Sequence, residues 1–211
     1  MGSRIKNGQE LPTGWKWVKL GELPIDIGDG NYSSKYPRQS DFLNQGIPFI
    51  RASNLKDGTI DSTDMRYISS EQHGQLLKGH LKRGDVIVVT RGQLGEVAIV
   101  PSEHEDSNIN AQLVRLRPDS TVLDNTFLFV SMQTASTAQQ VSTLVTGATL
   151  KQLPIKNLKR LSFPLPPIKE QQAIAERLNE ATEIKKTNAE SDKKIEELKS
   201  SLLQRACRGE L

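Results

Sequence analysis

The chain has a single cysteine, Cys207, so no internal disulfide can form, which fits a reducing compartment. No run of 18 apolar residues occurs, so no membrane span is expected, and the first residues lack the apolar core of a signal peptide. We therefore expect a cytoplasmic protein. The three histidines, His73, His80 and His104, have no metal-ligand spacing and no cysteine beside them, so no metal site is expected. A P-loop is absent, as is the glycine pattern of a nucleophile elbow. Gly28-x-Gly30 lacks a third glycine and a following helix, and Pro166-Pro167 follows Phe163-Pro164-Leu165, which offers no polar group to hold a flipped base. Asp85, Glu96 and the acids of residues 103–106 could in principle converge on Mg²⁺, but they read as solvated turn residues. Catalytic residues are not expected.

Proline and glycine are also missing, for about forty residues after Pro167. Apolar or small residues recur there at Ile174, Leu178, Ala181, Ile184, Ser191, Ile195, Leu198 and Leu202. With Asn188 between, the steps from Ile184 alternate four and three, the mark of a coiled-coil seam. Pro167 suits a first helical turn, Glu170 complements its positive end, and Gly209 is a natural stop. A helix over 168–206 would be a rod roughly 58 Å long. One seam on such a rod requires a partner, so Ile174, Leu178, Ile184, Asn188, Ile195, Leu198 and Leu202 are the expected dimer interface.

The rest of the chain is long enough for one domain, and we divide the chain into a domain over 11–165 and a spacer helix over 166–208. Residues 168–211 carry nine Lys/Arg and nine Asp/Glu, so the net charge of +3 falls on the preceding part. That mild excess permits a nucleic-acid ligand without indicating one. Strands are predicted over 15–20, 47–51, 86–90, 96–100, 111–116 and 159–164, with a hairpin through Arg91-Gly92-Gln93-Leu94-Gly95. Helices are predicted over 69–77, capped by Ser69 or Ser70, and over 125–144, capped by Asn125 with Phe127, Leu128, Val130, Ser131 and Ala135 near its inner face. Residues 26–38 read as a surface loop, and 146–153 as a glycine turn with a short helix or turn. Strands outnumber helices without regular interleaving, so the fold class is α+β, a mixed domain followed by a long C-terminal coiled-coil helix.

Four polar clusters could contact nucleic acid. They are Asn31, Tyr32, Lys35 and Arg38; Arg51, Ser53, Asn54 and Lys56; Arg91 and Gln93; and Thr146, Thr149, Lys151 and Gln152. Lysine and arginine suit phosphates, arginine can fork onto guanine, and Asn or Gln can do the same for adenine. Ordinary solvated loops are the alternative for any one of them.

Several stretches together resemble the specificity subunits of type I restriction–modification systems. They are Leu11-Pro12-x-Gly14-Trp15-x-Trp17-x-x-Leu20-Gly21-Glu22, Gly28-Asp29-Gly30-Asn31, and Gly46-Ile47-Pro48-Phe49-Ile50-Arg51-Ala52-Ser53-Asn54-Leu55. Further on come Gly84-Asp85-Val86-Ile87-Val88-Val89-Thr90-Arg91-Gly92-x-x-Gly95, Asn110-Ala111-Gln112 and Thr146-Gly147-Ala148-Thr149. The last are Pro164-Leu165-Pro166-Pro167-x-x-Glu170-Gln171 and Leu202-Leu203-Gln204-Arg205-Ala206-Cys207-Arg208-Gly209-Glu210-Leu211. The Pro-x-Pro-Pro-x-x-Glu-Gln stretch and the terminal run are the specific ones.

Such subunits carry two target-recognition domains, each followed by a long helix, with the helices packed antiparallel. The resemblance implies half of such a subunit: a natural short form, a phase-variable or truncated product, or a fragment. It also implies double-stranded DNA as ligand, no catalysis of its own, and docking to modification subunits that methylate adenine. A restriction subunit would join in the full complex, and S-adenosylmethionine and ATP/Mg would act only through those partners. Two copies would complete the reader as an antiparallel homodimer on a palindromic gapped site. A coiled-coil adaptor without DNA readout is the alternative.

Overall fold

The computed structural model describes residues 5–6, 9–30, 33–182, Ile184 and Lys194. Contacts divide the chain into two units, residues 1–171 and 172–211. In the first, β1 (Ile5–Lys6), β2 (Gln9–Glu10), β3 (Lys16–Lys19), β4 (Ile25–Asp29) and β5 (Ile47–Ile50) precede the hairpin of β6 (Leu55–Lys56) and β7 (Thr59–Ile60). Then come β8 (Arg66–Ile68), α1 (Ser70–Gln75), β9 (Val86–Val89), β10 (Val97–Ile99), β11 (Asn108–Ile109) and β12 (Leu113–Pro118). The unit closes with α2 (Asn125–Gln133), α3 (Ala135–Leu144), α4 (Ile155–Leu158) and β13 (Ser162–Leu165).

The central sheet has the order β10-β9-β12-β4, antiparallel throughout. Its middle is the Val-Ile-Val-Val run of β9, buried at every residue. Alternation directs Ile87 and Val89 into a core with Ile50, Leu55, Leu81, Ala98, Ile109 and Leu113. On β12, Leu116 faces Val86 of β9 on one side and Ile27 of β4 on the other. A second sheet, β11-β5-β8, pairs β11 with β5 in parallel and β8 with β5 antiparallel. Its Phe49 packs with Ile68 and Leu76, and Tyr36 meets the Phe49 ring edge-on at 5.7 Å between centroids. A third pairing, β3 with β13, ties the beginning of the domain to its end.

The structure corrects several expectations. Residues 26–38 are not all loop, because Ile25–Asp29 is an edge strand of the central sheet; its Pro24 and Gly28 neighbours hide a pattern that only pairing with β12 reveals. The strand expected over 111–116 starts at Leu113 instead, since Leu113 N donates to Asn110 O at 3.1 Å and closes a turn over 110–113. The predicted helix over 125–144 is two helices, broken at Thr134 by extended backbone (ψ 149°). Asp124, not Asn125, caps the first by accepting from Phe127 N, and Thr134 caps the second by accepting from Thr137 N. Val130 is consequently half-buried and Ala135 exposed. Asp85 is not solvated: it is 1% exposed and paired with Arg117.

Helical structure resumes over 168–182, with Ile184 and Lys194 also helical. Glu170 N and Gln171 N both donate to Pro167 O, at 2.9 and 3.1 Å, so the proline opens the first turn as its chemistry dictates. Of the seam, Ile174 and Leu178 are half-buried and Ile184 is 62% exposed. Asn188, Ile195, Leu198 and Leu202 lie outside the described residues.

Candidate nucleic-acid interface

Two of the four polar clusters are one surface. Beyond β9, Leu153 N donates to Thr90 O at 2.8 Å and Arg91 bridges to Gln152. Thr146 and Gln152 exchange backbone bonds of 2.8 and 2.9 Å, so 147–151 is a closed loop standing beside the Arg91–Gln93 turn. Gly147 (φ 91°) makes that closure possible, since a Cβ there would sit 2.2 Å from Leu150 O. Arg91, Gln93, Thr146, Thr149 and Lys151 are exposed, while Gln152 is half-buried. A cleft of about 350 Å³ runs along this surface, lined by Asp29, Thr90, Arg91, Ala111 and Gln152 among others. Asp29 is the last residue of β4, so the loop carrying Lys35 and Arg38 leaves the sheet from the same cleft.

That loop is anchored from behind. Tyr36 packs on Phe49, and Lys35 O accepts from Gln72 Nε2 of α1 at 2.5 Å. Arg38 N donates to Asp41 Oδ2 at 2.7 Å. The Lys35 and Arg38 side chains are exposed; Asn31 and Tyr32 lie outside the described residues.

The second cluster is different. Asn54 is 2% exposed, with Oδ1 accepting from Arg51 N at 3.0 Å and Nδ2 donating to Asp61 O at 3.0 Å. The Arg51 guanidinium is held by the Asp64 carboxylate at 2.8 Å, and the Lys56 ammonium by Asp61. Hydrogen bonds from Lys56 and then Thr63 hold the Asp61 carboxyl far below the usual carboxylate range, and Arg51 lowers Asp64. Asn54 is therefore a buried brace, Arg51 and Lys56 are neutralised locally, and of these four residues only Ser53 is exposed without a side-chain hydrogen bond or ion pair to another described residue.

Asn110 and Gln112 join the pieces. Asn110 Nδ2 donates to Gln112 Oε1 at 2.9 Å, and Asn110 Oδ1 accepts from Gln112 N at 3.1 Å. Thr90 N and Thr90 Oγ1 both donate to Gln112 O, while Asn110 N donates to Ile50 O at 2.8 Å. The turn thus links the ends of β5 and β9, and Gly30 lies against it so closely that a Cβ would sit 2.2 Å from Asn110 O. Its motif was visible in the sequence, but no contact role could be read from it.

The family model described as "Type I restriction modification DNA specificity domain" matches residues 12–200. The chain belongs to this family. It is 29% identical over 177 residues to the EcoBI type I restriction enzyme specificity subunit of Escherichia coli, covering 81% of this chain and 37% of that one. Among solved structures, it resembles the HsdS subunit from Thermoanaerobacter tengcongensis (TM-score 0.63, 26% identity, 98% of this chain, 48% of that one). It also resembles a chain from a study of complex assembly and conformational transition of the type I R-M system (TM-score 0.68, 25% identity, 98% and 49%). This specificity domain thus spans about half or less of the length of these relatives.

The proline-rich motif of this specificity domain does structural work. Gln171, fully buried, accepts from Asp124 N at 2.9 Å and donates to Val122 O and Pro166 O at 3.0 and 2.9 Å. Trp15 Nε1 donates to Glu170 Oε2 at 2.8 Å, fastening the opening turn to the same motif.

His73, His80 and Asp106 each bring one possible ligand atom to within 4.8 Å of the others. No local spacing rule could show this, because residues 73 and 106 meet only in the tertiary structure.

Proposed function

We propose that this specificity domain reads one half of a bipartite DNA site through the face made by the 33–38, 91–93 and 146–152 loops. The observation carrying this reading is the backbone fusion of the Arg91–Gln93 turn with the 146–152 loop, beside the root of the Lys35 loop. Exposed Lys35, Arg38, Arg91 and Lys151 supply charge for phosphates, and Gln93, Gln152, Asn31 and Tyr32 supply chemistry for base edges. Arg51, Asn54 and Lys56 stand behind this surface as supports. The chain itself performs no catalysis; it docks modification subunits that methylate adenine, with a restriction subunit in the full complex.

The spacer helix pairs antiparallel with that of a second copy, covering the seam of Ile174, Leu178, Ile184, Asn188, Ile195, Leu198 and Leu202. Exposed Ile184 and the four-three spacing support this pairing. Two identical domains at opposite ends then read a palindromic gapped site. Site selection from random duplexes by the chain with its methyltransferase subunits tests this: an inverted repeat with a fixed gap is expected. One continuous asymmetric site, or a monomer independent of concentration in sedimentation, overturns the dimer. Duplex binding indifferent to salt overturns the reading of the face.

A further inference from the structure

We propose that His73, His80 and Asp106 form a zinc site that staples α1 to the loop before β11. The argument starts from where the ring protons must be. His80 Nε2 lies 2.5 Å from Leu76 O, an acceptor only, so Nε2 carries the proton and Nδ1 keeps its lone pair. His73 Nδ1 lies 2.5 Å from Asn108 Oδ1, while the Nδ2 of that amide donates to Lys78 O at 3.5 Å. Nδ1 of His73 is therefore a donor, and its Nε2 is the free nitrogen. Nε2 faces Asp106 Oδ1 at 3.4 Å.

A neutral His73 would thus set a lone pair against a carboxylate, with the His80 ring 4.4 Å from the His73 ring and one His80 ring nitrogen within 4.8 Å of the other two donors. Two imidazoles and a carboxylate this close together can hold a cation. The arrangement matches a zinc site in two respects. Each histidine gives its second N–H to a carbonyl oxygen, the outer contact that orients metal-bound imidazoles. The 3.4 Å between Nε2 and Oδ1 equals the roughly 3.4 Å edge of a tetrahedron with metal–ligand bonds of about 2.1 Å. Asp106 is exposed, so water can take the fourth position.

The three donors come from α1, from the segment after it and from the turn ahead of β11, so an ion would add a cross-link to the backbone bonds that already join residues 79–81 to 106–109. Gln72 of the same helix holds Lys35 O, which puts the staple directly behind one of the proposed reading loops. That last consequence rests on the DNA-reading proposal; the metal site does not.

The test uses the untagged 211-residue chain with Cys207→Ser, stripped with a chelator and titrated with ZnCl2, and separately with CoCl2. One zinc per chain is expected, with a rise in melting temperature and the visible absorption of tetrahedral Co²⁺. Asp106→Asn should weaken zinc at least tenfold while leaving the apo melting temperature unchanged, because asparagine accepts the φ of 62° at that exposed position. His80→Gln should weaken zinc likewise, and zinc should shift the His73 and His80 ring signals in nuclear magnetic resonance. Zinc uptake unchanged in both variants overturns the site. So does a His73 ring doubly protonated against Asp106 and unmoved by zinc, since the cation between them would then be a proton.

Discussion

Arg117 grips Asp85 with two hydrogen bonds, Nε to Oδ1 at 2.7 Å and Nη2 to Oδ2 at 2.8 Å, and the same carboxylate accepts from Lys82 N at 2.7 Å. The pair ties β12 to the turn that starts β9, and hydrogen bonding to Asp85 raises the Arg117 pKa further above its ordinary value. Arg117→Ala leaves a buried carboxylate without its counter-charge, at a cost of about 3 kcal/mol. For a domain of this size the melting temperature should fall by about 6–12 °C. Thermal denaturation checks it, and Arg117→Lys should recover part of the loss.

Gln171→Ala should destabilise the domain by about 2–3 kcal/mol. It removes one acceptor and two donors from backbone groups of residues 122, 124 and 166. Urea unfolding should show a lower midpoint with an unchanged slope.

Gly30→Ala should abolish DNA binding and lower stability together. The new Cβ would meet Asn110 O at 2.2 Å and Ile109 O at 2.6 Å, both main-chain atoms that cannot swing aside. Melting curves and duplex binding measured on the same preparation check the pairing of the two losses.

Lys35→Ala and Lys151→Ala should each reduce the slope of log affinity against log salt by about 1, with little change in stability. Asn54→Ala should behave in the opposite sense, leaving the salt slope intact but costing about 1–3 kcal/mol as buried backbone partners go unpaired. Binding titrations across salt concentrations, alongside melting, separate the two classes.

Acid should weaken the β6–β7 region. Lys56 and Thr63 depress Asp61, and Arg51 depresses Asp64, so both carboxyls have folded pKa values below their unfolded ones. Their stabilising contribution is fully present only well above the unfolded value of 3.8 and is lost as pH falls from there through the depressed folded values. Asp64→Asn should therefore make acid unfolding between pH 4 and 2 shallower, as read by circular dichroism.

The core strands were legible in the sequence because burial on both faces leaves a continuous apolar run, as in Val86-Ile87-Val88-Val89. The helix start at Pro167 was legible because proline's missing N–H is a local property. Ile25–Asp29 escaped notice, since an edge strand with a glycine gains its identity from pairing with β12. The break at Thr134 escaped too: a threonine within a helical pattern becomes a cap only when its hydroxyl finds Thr137 N.

By itself, then, the sequence determined the family, the central core strands, the spacing of the apolar seam and which stretches hold polar groups, because each depends on neighbours along the chain. Tertiary structure decided which of those groups are free. It joined Arg91 to Gln152, withdrew Asn54 into the interior, matched Arg51 and Lys56 with Asp64 and Asp61, and brought His73 to Asp106. The physical reason is that exposure and charge pairing are set by distances through space, which spacing along the chain does not encode.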